Sequence, residues 1–232
     1  MDPIHALIMA LAIVAGVAIK RLQGPQPSAL PRGQRIAVSL AAIIGGALGA
    51  KLPFILWDPQ ALESLSSWLV DGRTLTWGLA GGYLAVEGTK LSLGIKAKTG
   101  DGFAAPVAAA VAVGRLGCWN AGCCFGAPTS VPWAVDFGDG IMRHPTQLYE
   151  FSFHALACGV LFWMGRRDLF ARQRIKLYLI AYMVYRFLTE WLRPEPHAAL
   201  GLTFYQWSAL AFGLALAAHF AYDRRAIPLK RV

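Results

Sequence analysis

Long apolar stretches alternate with short polar connections along almost the whole chain. Stretches 4–19, 36–56, 74–93, 103–117, 147–165, 175–192 and 203–222 are each dominated by apolar residues. A helix needs about 20 such residues to cross the roughly 30 Å hydrocarbon core of a bilayer. The fourth stretch is rich in Ala and Val and runs straight into a Gly/Cys segment. The first has neither a basic leader nor a small-residue cleavage site followed by soluble sequence, so it reads as a retained helix. The pattern predicts an all-α fold, a polytopic integral membrane protein of about seven transmembrane helices forming one unit over residues 1–232. Residues 23–33, rich in Pro and Gly, read as a linker, and 57–73 as a short amphipathic helix lying on the membrane.

Composition agrees with a bilayer protein. The chain is 56% hydrophobic and 15% charged, with mean hydropathy +0.46, whereas soluble chains carry roughly 25% charged residues. The net charge of +9 is distributed among connections and does not form one patch beside aromatic residues, which excludes nucleic acid as a partner. Lys20, Arg21, Arg32 and Arg35 lie in the first connection, Lys96 and Lys98 in the third, and Arg166, Arg167, Arg172, Arg174 and Lys176 in the fifth. Arg224, Arg225, Lys230 and Arg231 lie in the C-terminal tail. Alternate connections are therefore basic, and the positive-inside rule places the N-terminus outside and the C-terminus in the cytoplasm. Trp57, Trp68, Trp191 and Trp207 fall at the expected interfaces, as an aromatic belt would.

That rule leaves Lys51, Arg73, Lys90, Arg115, Arg143, Arg186 and Arg193 without an explanation. Arg186 lies well inside the sixth stretch, where a charge costs at least a few kcal/mol and normally faces a cavity or a partner. Arg186, Glu190 and Arg193 are spaced i, i+4, i+7 and share one helix face. One reading is an ion pair that only ties helices together; the other is an anion site. The segment from Gly114 to Gly126 (GRLGCWNAGCCFG) is glycine-rich, which permits close backbone approach to a ligand, with Gly114, Gly117 and Gly122 expected at the substrate. Pro145 and Thr146 suit a helix start, and helix N-termini favour anions. Arg115, Arg143, Arg186 and Arg193 are expected to converge around a phosphate, whose oxygens guanidinium binds bidentately.

Cys118, Cys123 and Cys124 do not match the usual zinc spacings and no second Cys/His pair accompanies them, so no metal or other cofactor is expected. Three readings stay open for them: small residues in a tight turn, a disulfide staple, or a reactive nucleophile that takes a lipid group before passing it on. Cys158 reads as core.

At these residues the chain resembles the bacterial prolipoprotein diacylglyceryl transferases. The resemblance rests on Gly114-Arg115-Leu116-Gly117, on residues 143–150 (RHPTQLYE), on Tyr185-Arg186-Phe187 with Glu190 and Arg193, and on residues 201–208 (GLTFYQWS). It implies a seven-helix inner-membrane enzyme with its active site toward the outer leaflet. Such an enzyme transfers the diacylglyceryl group of phosphatidylglycerol, or another anionic phospholipid, to the lipobox cysteine of a preprotein signal peptide, releasing glycerol phosphate. The chain departs from the family pattern where that pattern carries an Asn and later an Asn-Gly-Glu; here stand Cys118 and Gly122-Cys123-Cys124. The third stretch has Gly81-Gly82 without the family's preceding His.

The implied chemistry assigns Arg115 and Arg186 to charge developing on the departing phosphate, with Arg143 and Arg193 as clamps. The acceptor thiol must become a thiolate, and His144 is the expected base from its pKa range, with Glu190 and Glu150 as competitors. Gln147, Tyr149 and Tyr185 are expected to contact substrate. A related transferase with another acceptor, and a non-catalytic protein binding lipid or a thiol ligand, are the alternatives.

Overall fold

The computed structural model describes residues 3–24, 30–57 and 74–226. Seven long helices form among them: α1 (Pro3–Leu22), α2 (Arg32–Trp57), α3 (Leu75–Ser92), α4 (Asp101–Asn120), α5 (Thr146–Arg166), α6 (Arg174–Thr189) and α7 (Phe204–Ala226). Each coincides with one apolar stretch. Three of them, α1, α2 to Leu56, and α4, are long and apolar enough by length and composition to cross a membrane. The sixth stretch tightens before its end, where Glu190–Leu192 form a 3-10 turn. A two-residue hairpin, β1 (Val135–Asp136) and β2 (Met142–Arg143), adds a little antiparallel structure between α4 and α5. The expected amphipathic helix, apart from the end of α2, lies outside the described residues, as do Arg73, Trp68, Lys230 and Arg231.

Ala-rich α4 is the axis of the bundle. Ala104, Ala105 and Ala108 have no exposed surface and pack with Leu161 of α5, Tyr178, Leu179, Tyr182 and Met183 of α6, and Ala209 and Leu216 of α7. Small side chains let helices approach closely without a strong hydrophobic drive. Glycine does the same for α2 against α3: a Cβ on Gly81 would lie 2.9 Å from the Cα of Gly49. Helix α1 runs antiparallel to α4, since His5 Nδ1 is 3.0 Å from the Gly117 carbonyl at one end and Lys20 Nζ donates to the Gly102 carbonyl (2.9 Å) at the other.

Polarity is inverted relative to a water-soluble domain. Ile13, Ile43, Leu91, Leu156 and Leu188 are exposed, while Gln147, Glu150, His154, Arg186, Glu190 and Gln206 are buried. An apolar exterior around ionisable residues is what a bilayer imposes. The buried charges gather at two opposite ends of the bundle. At one, Asp223 near the end of α7 receives Lys98 (2.7 Å) and touches Lys176. At the other, the C-terminal ends of α4 and α6 meet the N-terminal ends of α5 and α7.

Candidate active site

Three guanidiniums occupy that second end. Arg115 sits in the last turns of α4 and touches the carboxylate of Glu150, one turn into α5. Arg186, near the end of α6, pairs with Glu190 at 2.5 Å and stands 5.5 Å from the ring centroid of Tyr205. Arg193, just past the 3-10 turn, reaches Glu150 at 3.3 Å. Arg115, Arg186 and Arg193 line a cavity of about 290 Å³ with Phe54, Thr74, Thr76, Cys124, Tyr182, Glu195 and Tyr205 among its other walls. Three of the four expected arginines are therefore together.

The two buried carboxylates are held from behind. The Tyr182 hydroxyl donates to Glu150 (3.3 Å), and Thr203 Oγ1 donates to Glu190 (3.0 Å). Although their charges touch, Arg115 Nε, Arg186 Nη1, Glu150 Oε2 and Glu190 Oε2 are all buried without an aligned hydrogen bond. Glu150 and Glu190 thus offset two of the three guanidinium charges, and the charge left over is what an anion entering the cavity meets.

The fourth arginine goes elsewhere. Arg143 on β2 donates to Asp139 (3.1 Å from Nε, 2.6 Å from Nη2) and lies 4.7 Å over the Phe125 ring. The Arg143 guanidinium, through this side-chain hydrogen bond, holds the Asp139 carboxyl below the usual carboxylate range. The nearby acid captures it, so Arg143 reaches the cavity only through Phe125, one of its walls. His144 is also not a cavity wall: its Nδ1 is 3.3 Å from the Tyr149 hydroxyl, which receives the Trp133 indole N–H at 2.7 Å. Tyr185 stacks on Phe153, centroids 4.4 Å apart.

Several residues expected at the ligand instead shape the loop that closes the cavity. Gly114 and Gly117 face α1, where a Cβ on Gly117 would lie 3.2 Å from Met9 Sδ. Gly122 takes φ +60°, as its glycine permits. Gln147 donates to the Cys123 carbonyl and Thr146 to the Cys124 carbonyl, each at 2.7 Å. Gly126 is held by the His144 carbonyl (2.8 Å), and a Cβ there would lie 2.5 Å from the Leu192 carbonyl oxygen.

The loop brings all three neighbouring thiols together. Cys118, Cys123 and Cys124 are free, so the disulfide staple is absent from this structure, and their Sγ atoms lie within 4.8 Å of one another. Hydrogen bonds from Cys118 and Cys123, with the charges of Arg115 and Arg193, pull the Cys124 thiol far below its ordinary value; the same sulfur contacts push Cys123 up.

Sequence reasoning missed Tyr182, Tyr205, Thr203 and Glu195. Tyr182 was accessible to it, because it lies one turn before Arg186 on the same face.

Comparison with known proteins gives the family. The sequence profile of the prolipoprotein diacylglyceryl transferase family matches residues 3–222. A phosphatidylglycerol–prolipoprotein diacylglyceryl transferase of Clostridium tetani is 32% identical over 178 residues, covering 71% of this chain and 70% of the relative. One from Bordetella parapertussis is 31% identical over 203 residues (79% and 76%), and one from Cutibacterium acnes 29% over 222 (87% and 75%). With its arginine-lined cavity built from the segments that carry the family motifs, and a profile match over nearly its full length, the chain belongs to the prolipoprotein diacylglyceryl transferase family.

Proposed function

We propose that this protein transfers the diacylglyceryl group of phosphatidylglycerol to the thiol of a lipobox cysteine in a prolipoprotein, releasing glycerol phosphate. The observation that carries the reading is the trio Arg115, Arg186 and Arg193 around one cavity. A phospholipid headgroup is the anion such a site meets in a membrane. The acceptor sulfur attacks the glyceryl carbon, the C–O bond breaks, and its electron pair goes to the phosphate oxygen. Fixed guanidiniums stabilise that charge without reorganising at the moment of reaction. Arg115 and Arg186 do this directly and Arg193 clamps. Glu150, Glu190, Tyr182 and Thr203 hold them in place. His144, bonded to Tyr149 outside the cavity walls, serves the loop in this reading, and Glu195 stands in the wall itself.

Seven spans in the bacterial inner membrane, with the N-terminus outside and the C-terminus in the cytoplasm, put the arginine cavity toward the outer leaflet. The alternation of helix ends supports that arrangement, because α4 and α6 end, and α5 and α7 begin, at the cavity.

The test is transfer of labelled diacylglyceryl from phosphatidylglycerol to a lipobox peptide. Wild type transfers, and Arg186→Ala falls by roughly 100- to 1,000-fold, the loss typical of one preorganised charge-stabilising donor. Phospholipid binding without peptide modification by wild type would overturn the reaction and leave a changed acceptor or a lipid-binding protein.

A further inference from the structure

The phosphate chemistry uses none of the three clustered thiols. Cys118 lies at the end of α4, and the positive φ angles of Gly122 and Cys124 (+60° and +61°) fold the following chain back over it. Zn–S bonds of about 2.3 Å place thiolates on one tetrahedral ion roughly 3.8 Å apart. Sulfurs already within 4.8 Å of one another reach that spacing by small side-chain rotations. The backbone that carries them is fixed: Cys123 N–H donates to the Cys118 carbonyl (3.1 Å), and the Cys123 and Cys124 carbonyls accept Gln147 and Thr146.

Charge balance points the same way. Three thiolates on a divalent ion carry one net negative charge. Arg115 Nη1 donates toward Cys118 Sγ at 3.8 Å, and Arg193 shares the cavity wall with Cys124. A covalent relay through Cys124 fits less well. It would leave a thioether, whose carbon a second thiol does not readily attack because thiolate is a poor leaving group there.

We propose that Cys118, Cys123 and Cys124 form a three-thiolate site for one soft d10 cation of the Zn2+ class, with its fourth coordination position open to the arginine cavity. Three protein ligands with one open position is the pattern of a reactive zinc site and not of a closed structural one. The occupant of the open position rests on the transfer reaction proposed above: it is the acceptor thiol, bound as thiolate after losing its proton to water. A lone pair of that sulfur forms the S–C bond to the glyceryl carbon. The C–O electrons leave on the phosphate held by Arg115 and Arg186. The product thioether is neutral, a weaker ligand, and departs.

The experiment uses full-length protein in detergent, reduced and stripped of metal under anaerobic conditions. With Zn2+ as probe, one ion stays bound through desalting, and Cys118, Cys123 and Cys124 become protected from maleimide while Cys158 does not. With Co2+ as probe, thiolate-to-metal charge-transfer bands appear, and a lipobox peptide shifts them whereas its Cys→Ser version does not. Cys118→Ser, Cys123→Ser and Cys124→Ser each weaken binding by at least about 100-fold, since losing even an outer-shell partner costs up to that much; Cys158→Ser leaves it unchanged. Monodispersity and thermal midpoint report whether each near-isosteric variant is folded. No stoichiometric retention, or retention indifferent to any of the three cysteines, overturns the site whether or not the protein transfers lipid. Retention with no response to the Cys peptide overturns the open position, while the transfer reaction is judged by its own assay.

Discussion

Glu150→Gln probes the arrangement most directly, because one carboxylate serves two of the three cavity arginines. Glu150 is 1% exposed, touches Arg115, reaches Arg193 at 3.3 Å and accepts the Tyr182 hydroxyl at 3.3 Å. Glutamine keeps the shape and one acceptor oxygen but removes the charge. Two guanidiniums are then left in a poorly solvated place without the carboxylate they both touched. Removing one partner of a buried ion pair costs about 3–5 kcal/mol. At about 2–4 °C per kcal/mol for a chain of this size, the apparent thermal midpoint in detergent falls by roughly 6–20 °C.

A double-mutant cycle separates the charge from the loss of a hydrogen bond. Arg115→Gln also destabilises alone, but the pair Arg115→Gln/Glu150→Gln restores the wild-type charge balance and recovers part of the loss. The interaction term then lies in the upper part of the roughly 0.5–3 kcal/mol range seen for contacting residues. A midpoint within about 2 °C of wild type for Glu150→Gln, or strict additivity in the cycle, would show that Glu150 does not carry the counter-charge.

Arg186→Lys keeps the charge but loses the planar fork that grips phosphate bidentately. Transfer is expected to fall at least about tenfold, by the loss of a charge-assisted hydrogen bond; activity equal to wild type refutes the bidentate role. Gly126→Ala places a methyl 2.5 Å from the Leu192 carbonyl oxygen and 2.6 Å from His144 Cβ. Overpacking of this kind costs about 1–3 kcal/mol. Faster proteolysis between α4 and α5, with the helices intact by circular dichroism, is the expected readout, and unchanged proteolysis counts against it.

The helices were legible because hydropathy over 20 residues is a strong signal, and the stretches 74–93 and 147–165 end within a residue of Leu75–Ser92 and Thr146–Arg166. Hydropathy does not register a tightening of the helix, so the 3-10 turn at Glu190–Leu192 was read as more helix. The Arg186–Glu190 pair was visible because i, i+4 geometry is local. Arg143 was misplaced although its partner Asp139 is also four residues away, because no helix relates them: a hairpin turn does, in which Asp136 Oδ1 accepts the N–H groups of Gly138, Asp139 and Gly140. The glycines of the Gly-Arg motif were taken for ligand contacts, yet Gly114 and Gly117 pack on α1, a contact between segments about a hundred residues apart. Most instructive is the thiol cluster. Spacing alone argued against a metal and left the proximity of the sulfurs open; the positive-φ residues Gly122 and Cys124, one of them non-glycine, fold the chain so that the three lie within 4.8 Å of one another.

The two carboxylates explain how so much positive charge survives near the bilayer. Three bare guanidiniums in a low-dielectric site would be intolerable, so Glu150 and Glu190 offset two of those charges before substrate arrives. One positive charge among these five groups is left without a carboxylate of its own. An anion need not rebuild the site; it meets that remaining charge and competes with the carboxylates for the guanidinium N–H groups. Stability and anion affinity should therefore move in opposite directions in Glu150→Gln. The variant unfolds earlier than wild type, yet glycerol phosphate raises its thermal midpoint by more, because a ligand that binds only the folded state stabilises it according to its affinity. If the ligand-induced shift is equal or smaller in the variant, then Glu150 orients the arginines toward phosphate and does not compete with it.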